Sequence, residues 1–207
     1  LDPIVLGLLV GGMAAAALFA VVELRIEHPL LVVRLFANRA FGSGAFSLML
    51  QFLATLGFFF LAVQYLQMVL DYSPLQSALA LAPIAAPVVL LSMFMSMLLP
   101  HVGLRILCGG GAAILGLGIL LMTRLDVDAS YAEICVPLLV AALGLGMCTA
   151  PATAAIVQNT PDEKQGVASA VNDAAREIGS AIGVALAGSI LAAAYSHHIQ
   201  PAVDQLP

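Results

Sequence analysis

An all-α, polytopic membrane helical bundle is the fold class this sequence predicts, and three observations predict it. The 207-residue chain is 62% hydrophobic and only 9% charged, against roughly 25% charged residues in a soluble domain. Its mean hydropathy of +1.07 means more apolar surface than a globule of this length hides. The apolar stretches run about twenty residues or more, the length that crosses a bilayer as a helix, without the period-two alternation of barrel strands. The lipid bilayer is therefore the partner that composition names. The net charge of −5 says little about other partners when most of the chain sits in lipid. No basic patch is present, so the reading is no nucleic acid.

Six spans follow from hydropathy and helix breakers: residues 4–22, 42–69, 75–98, 104–123, 132–157 and 165–195. A longer polar segment, Glu23 to Phe41, separates the first span from the rest. The loops are Asp71–Pro74, Pro100–Arg105, Arg124–Tyr131, Gln158–Gln165 and the tail from Ser196. Thr160-Pro161-Asp162-Glu163 has the pattern of a helix start, with Thr as N-cap, Pro at the first helical position and Glu at N3. Segments 23–41, 99–105 and 158–165 carry Arg25, Arg34, Arg39, Arg105 and Lys164; the opposite loops carry Arg124 with Asp71, Asp126 and Asp128. The positive-inside rule puts the first set in the cytoplasm and both chain ends outside.

The last span, Gly166 to Tyr195, carries the residues that point to chemistry. Asp173 stands three residues before Arg176 and four before Glu177, so all three share a helix face, with Ser169 and Ser180 a turn to either side. A charge inside an apolar span costs roughly 2.5–3.5 kcal/mol on insertion scales and marks a proton, ion or substrate pathway by default. Asp173, Glu177, Arg176 and the adjacent Asn172 are the expected pathway; an internal salt bridge near the cytoplasmic interface is the alternative. Gly179, Gly183 and Ala187 form a rotated stripe of small residues, the pattern for close helix packing in lipid. Gln51 and Gln64, with Gln67, are expected to line a cavity or to bond between helices. Pro83, Pro87, Pro137 and Pro151 are expected kinks.

Other groups carry less. Cys108, Cys135 and Cys148 lack metal-ligand spacing and read as buried thiols. The glycines of Cys108–Gly111, with Gly116 and Gly118, follow no strand and read as helix packing, not a phosphate loop. His197 and His198 read as part of a solvated tail. The expectation is no metal and no cofactor. An intramembrane protease would want a Ser–His or two-Asp arrangement at membrane depth; Asp173 is the one convincing intramembrane Asp and every His falls in a loop, so no enzyme is expected.

Three stretches carry a family resemblance. They are HPLLVVRLFANRAF (His28 to Phe41), FFFLAVQYLQMVLDYSPLQSALALAP (Phe58 to Pro83) and PDEKQGVASAVNDAAREIGSAIGVALAG (Pro161 to Gly188). Together and in this order they resemble the C-terminal portion of the fourteen-helix drug–proton antiporters of the major facilitator superfamily, the EmrB/QacA type. The resemblance implies a partial major-facilitator fold. Residues 1–22 would be an extra helix between the two halves, 23–41 a cytoplasmic linker, 42–195 five helices of the C-terminal six-helix half, and 196–207 an outer loop cut before the last helix. The loop from Leu98 to Ile106 departs from the family's "G-x-L-x-D-R-x-G-R-R" pattern; Gly103 and Arg105 are what remain of it.

As function, the resemblance implies part of a secondary active transporter in the cell's inner (plasma) membrane. It would exchange protons for amphipathic or cationic small molecules, with a missing N-terminal half as partner. The alternative is a non-transporting scaffold or a decayed fragment. In a partly dry cavity desolvation disfavours a charged carboxylate while a nearby cation favours it. A cationic substrate would then compete with a proton for Asp173, with Glu177 assisting.

The orientation is testable with single cysteines at Ala37, Asp128 and Gln200 in a background without native thiols. An impermeant maleimide should label the second and third from outside intact cells and spare the first. Labelling of Ala37 with protection of Asp128 reverses the topology.

Overall fold

A computed structural model describes residues 3–26, 33–126 and 129–203. His28 and its neighbours from 27 to 32, Asp128, and the tail past Val203 lie outside the described residues, as do the side chains of Arg34, His197 and His198. The described chain forms seven α-helices: α1 (Pro3–Arg25), α2 (Arg39–Met68), α3 (Pro74–Leu81), α4 (Ala85–Val102), α5 (Leu104–Met122), α6 (Tyr131–Gln158) and α7 (Gln165–Val203). With α3 and α4 counted as one span, six are long and apolar enough to cross a bilayer.

The third span is broken because Pro83 lacks an N–H and cannot continue the ladder. It sits in a 3-10 turn, Ala82–Ile84, between α3 and α4. Pro87 falls in the first turn of α4, where a missing donor is cheapest. Pro137 and Pro151 lie inside α6, which remains a single helix. Two helix starts carry reciprocal caps: the Ser73 amide donates to Gln76 Oε1 at 2.8 Å, and the Ser130 amide to Glu133 Oε2 at 2.7 Å. Asn38 caps α2, its Oδ1 accepting from the Ala40 amide at 2.9 Å, and its Nδ2 donates to Asn159 Oδ1 at the end of α6 over 3.3 Å.

Three local expectations change. The expected loop at Pro100–Arg105 is a corner at Gly103, whose φ of 85° suits a residue without Cβ; α4 ends at Val102 and α5 begins at Leu104. Thr160 does not cap α7, because its hydroxyl turns back to donate to the Ile156 carbonyl at 2.8 Å. A 3-10 turn, Asp162–Lys164, intervenes before α7 starts at Gln165. Helix α7 also runs past Tyr195 to Val203, where a loop was expected. The alanines at 192–194 favour helix up to Tyr195, and Ser196 Oγ stays on the helix by donating to Ala192 O at 2.9 Å.

Helices α2 and α6 form the centre, with α7 and α6 packed on α2, and α5 and α4 packed on α6. Small residues make the closest seams. A Cβ at Gly179 or Gly183 would run into the backbone of Met49 and Leu53, and one at Gly57 would lie 2.9 Å from the Gly183 carbonyl oxygen. Across α5 and α6, a Cβ at Gly111 would lie 2.8 Å from the Gly144 oxygen, and one at Gly118 2.7 Å from Ala141 Cα. Gly109 and Gly116 of the same helix meet nothing, so only part of that glycine run packs.

Two apolar cores result. One gathers Phe41, Leu48, Cys148, Ile156 and Val171; the other gathers Phe58, Leu66, Leu115, Ile134 and Leu138. Helix α1 stands apart: among its described residues only Glu23 is buried.

Overpacking a filled seam costs about 1–3 kcal/mol or more. Gly183→Val should therefore lower the thermal midpoint in detergent markedly, while Gly109→Ala leaves it nearly unchanged. Equal midpoints for the two variants would contradict the α2–α7 seam.

Candidate functional site

A polar seam crosses from α2 through α6 to α7. Its first part centres on Gln51, which is buried. Gln51 Nε2 donates to Ser47 Oγ at 3.1 Å, one turn back on α2. Thr149 Oγ1 of α6 lies 3.3 Å from Gln51 Oε1 and 2.8 Å from the Leu145 carbonyl oxygen. One hydroxyl proton thus serves two acceptors, and Gln51 is a tie between helices. Thr55, a turn further along α2, is buried with its hydroxyl unpartnered.

The second part begins one turn along α6, at Thr153. Arg176 Nη2 donates to Thr153 Oγ1 at 3.4 Å. Thr153 Oγ1 donates to Asn172 Oδ1 at 3.0 Å, and Asn172 Nδ2 donates to Asp173 Oδ1 at 3.5 Å. Every donor in this chain points the same way, from the cation to the acid, so the dipoles reinforce one another. The Arg176 guanidinium carbon also stands 5.2 Å from the centre of the Phe52 ring, a cation–π contact.

The charged triplet is therefore not the mutual ion pair that spacing allowed. Arg176 is half-buried and turned to α6 and α2, whereas Asp173 and Glu177 are exposed on the side of α7 away from α2. Among the described residues no ion pair joins Arg176 to either acid. Arg176 and Asp173 communicate through Thr153 and Asn172 instead. Gln64 stays out of the seam, lining an apolar pocket of about 380 Å³ with Leu56, Phe59, Phe60, Val63 and Val184. It lies thirteen residues from Gln51, about 20 Å along α2.

Beside Arg176 a cleft of about 490 Å³ opens between α4, α6 and α7, lined by Ser92, Thr149, Ala150, Thr153, Ala154, Val157, Gln158 and Arg176. A larger groove of about 820 Å³, between α1, α2 and α7, is walled by apolar residues such as Phe19, Phe46 and Ile178. It presents no polar side chain that would select a ligand. Thr149, Thr153, Ser92 and Phe52 are the members that reading the sequence missed. The available signal was the spacing of two hydroxyls one turn apart in an apolar helix.

This fold and seam define a polytopic, helical membrane protein with a polar track through its interior. The chain belongs to the Major Facilitator Superfamily, whose family model matches residues 4–184. It is similar to the multidrug resistance protein Stp of Mycobacterium tuberculosis, at 32% identity over 189 residues, covering 91% of this chain and 35% of Stp. The puromycin resistance protein pur8 of Streptomyces alboniger is also 32% identical, over 193 residues, covering 91% of this chain and 38% of pur8. The multidrug efflux pump LfrA of Mycolicibacterium smegmatis is 29% identical over 188 residues, covering 91% of this chain and 37% of LfrA. The chain thus spans little more than a third of the length of these curated relatives.

A hydrogen bond between membrane helices contributes about 0.6 kcal/mol on average, with about 1.7 at the upper end. A double-mutant cycle on Gln51→Leu and Thr149→Val, read from reversible unfolding in mixed micelles, should give a coupling in that range. Strict additivity would mean that the two side chains do not meet.

Proposed function

We propose that this chain is the C-terminal portion of a fourteen-helix drug–proton antiporter of the EmrB/QacA type. It works in the inner (plasma) membrane with an N-terminal half, exporting amphipathic or cationic small molecules in exchange for protons. Membership of a transporter superfamily and relatives named for multidrug resistance, puromycin resistance and efflux support this reading. The isolation of α1 supports its role as an extra helix between the halves.

The observation that carries the chemistry is the relay from Arg176 through Thr153 and Asn172 to Asp173. It anchors one side of Asp173 while the carboxylate stays exposed on a face of α7 that the described helices leave uncovered. In such transporters the substrate site forms where two repeats meet, near the bilayer midplane. On that face a cation and a proton compete for the same oxygen atoms, which is the physical content of exchange. Glu177, one turn on, shares the exposed face and acts as a secondary acid. Gln51 and Thr149 hold α2 and α6 in register beside it.

The test is pH-gradient-driven efflux of a cationic dye by the full-length transporter. Asp173→Asn should cut proton-linked efflux tenfold or more with unchanged membrane abundance, and Glu177→Gln should act more weakly or shift the substrate range. Unchanged efflux from Asp173→Asn removes the coupling role.

A further inference from the structure

We propose that the cleft between α4, α6 and α7 receives the carboxylate end of amphipathic substrates, with Arg176 as the group that binds it. The proposal rests on the reading of this seam as part of a substrate path and adds a substrate class to it. A guanidinium offers five N–H donors and no acceptor. Here one of them makes a long bond of 3.4 Å to Thr153 Oγ1, and Nε is buried with no partner.

No acid faces Arg176 from the helices packed beside it. Helices α2 and α4 contain no Asp or Glu. Helix α6 has Glu133 alone, which caps its own first turn at Ser130. Glu133 is twenty residues from Thr153, about 30 Å along the helix. Asp173 is reached only through two intervening side chains. Phe52 offsets part of the desolvation of the cation, but a ring face is not a counter-charge.

An unneutralised cation in an apolar span is costly, and an arriving anion relieves it. A planar carboxylate matches the guanidinium fork with two acceptors. The cleft of about 490 Å³ falls within the size range of small-molecule sites. Ala150, Ala154 and Val157 offer an apolar wall for the body of such a molecule, and Thr149, Thr153 and Gln158 offer polar contacts. A cationic head is repelled here and is directed to Asp173 and Glu177 instead. The two regions together suit a zwitterion, its acid end on Arg176 and its base end on the exposed acids.

Three probes with the same naphthalene body separate the charge states: 2-naphthoate, its planar neutral isostere 2-naphthamide, and (2-naphthylmethyl)trimethylammonium. They are titrated calorimetrically into the 207-residue chain and into the full-length transporter, against empty micelles. In both, naphthoate should bind at least tenfold more tightly than naphthamide. Arg176→Gln should bring naphthoate down to the level of the amide and strengthen the ammonium probe. Arg176→Lys, which keeps the charge and loses the fork, should fall between; circular dichroism melts verify that each variant is folded. Naphthoate binding no tighter than the amide, in either protein, overturns the proposal. So does an Arg176→Gln variant that is folded and weakens both probes in the same ratio. The antiport reading stands or falls separately, on cationic-dye efflux by Asp173→Asn.

Discussion

The contact of α7 with α2 at Gly179 and Gly183 sets the geometry of everything polar in this molecule. In lipid, helices gain little from the hydrophobic effect between them, and their association depends on close packing and on hydrogen bonds. The missing side chains let the α7 backbone rest on the backbone of Met49 and Leu53. That fixes both the depth and the rotation of α7. Arg176, one turn before Gly179, is carried to the α6 side, beside Thr153 and over Phe52. The acids at 173 and 177 are carried to the opposite side. A similar seam between Gly111 and Gly144 fixes α5 on α6.

The polar groups obey a second constraint, that a donor or acceptor in hydrocarbon finds its partner within the protein. Gln51 does so through Ser47 and Thr149. Cys148 does so within α6, donating to the Gly144 oxygen at 3.1 Å. Arg176 does so only in part, with Nε left over. Apolar packing also joins α2 to α6 on both sides of Gln51, in the cores around Leu48 and Phe58.

These features are complementary. The apolar cores and glycine seams pack α2, α5, α6 and α7 together. A chain of hydrogen bonds through Thr153 and Asn172 connects the half-buried Arg176 to the exposed Asp173. The chain belongs to the Major Facilitator Superfamily and spans a little over a third of the length of the curated relatives it matches.

The sequence by itself determined the class and the number of spans, and it put the charged triplet on the last of them. Each depends on local quantities: mean hydropathy, run length and the residues that interrupt a run. The spacing of Asp173, Arg176 and Glu177 likewise made them neighbours on one helix. What spacing did not determine was which way each side chain leans, because a helix face has no direction until another helix packs against it. The tertiary structure decided that Arg176 turns to Thr153 and the acids turn away, and that Gln51 joins the seam while Gln64 does not. It decided that Gly111 and Gly118 pack while Gly109 and Gly116 stay open, and that Thr160 bonds backward instead of capping α7. The physical reason is common to all of these. Backbone approach at a few glycines sets the rotation of whole helices, and that rotation is a property of pairs of segments far apart in the chain.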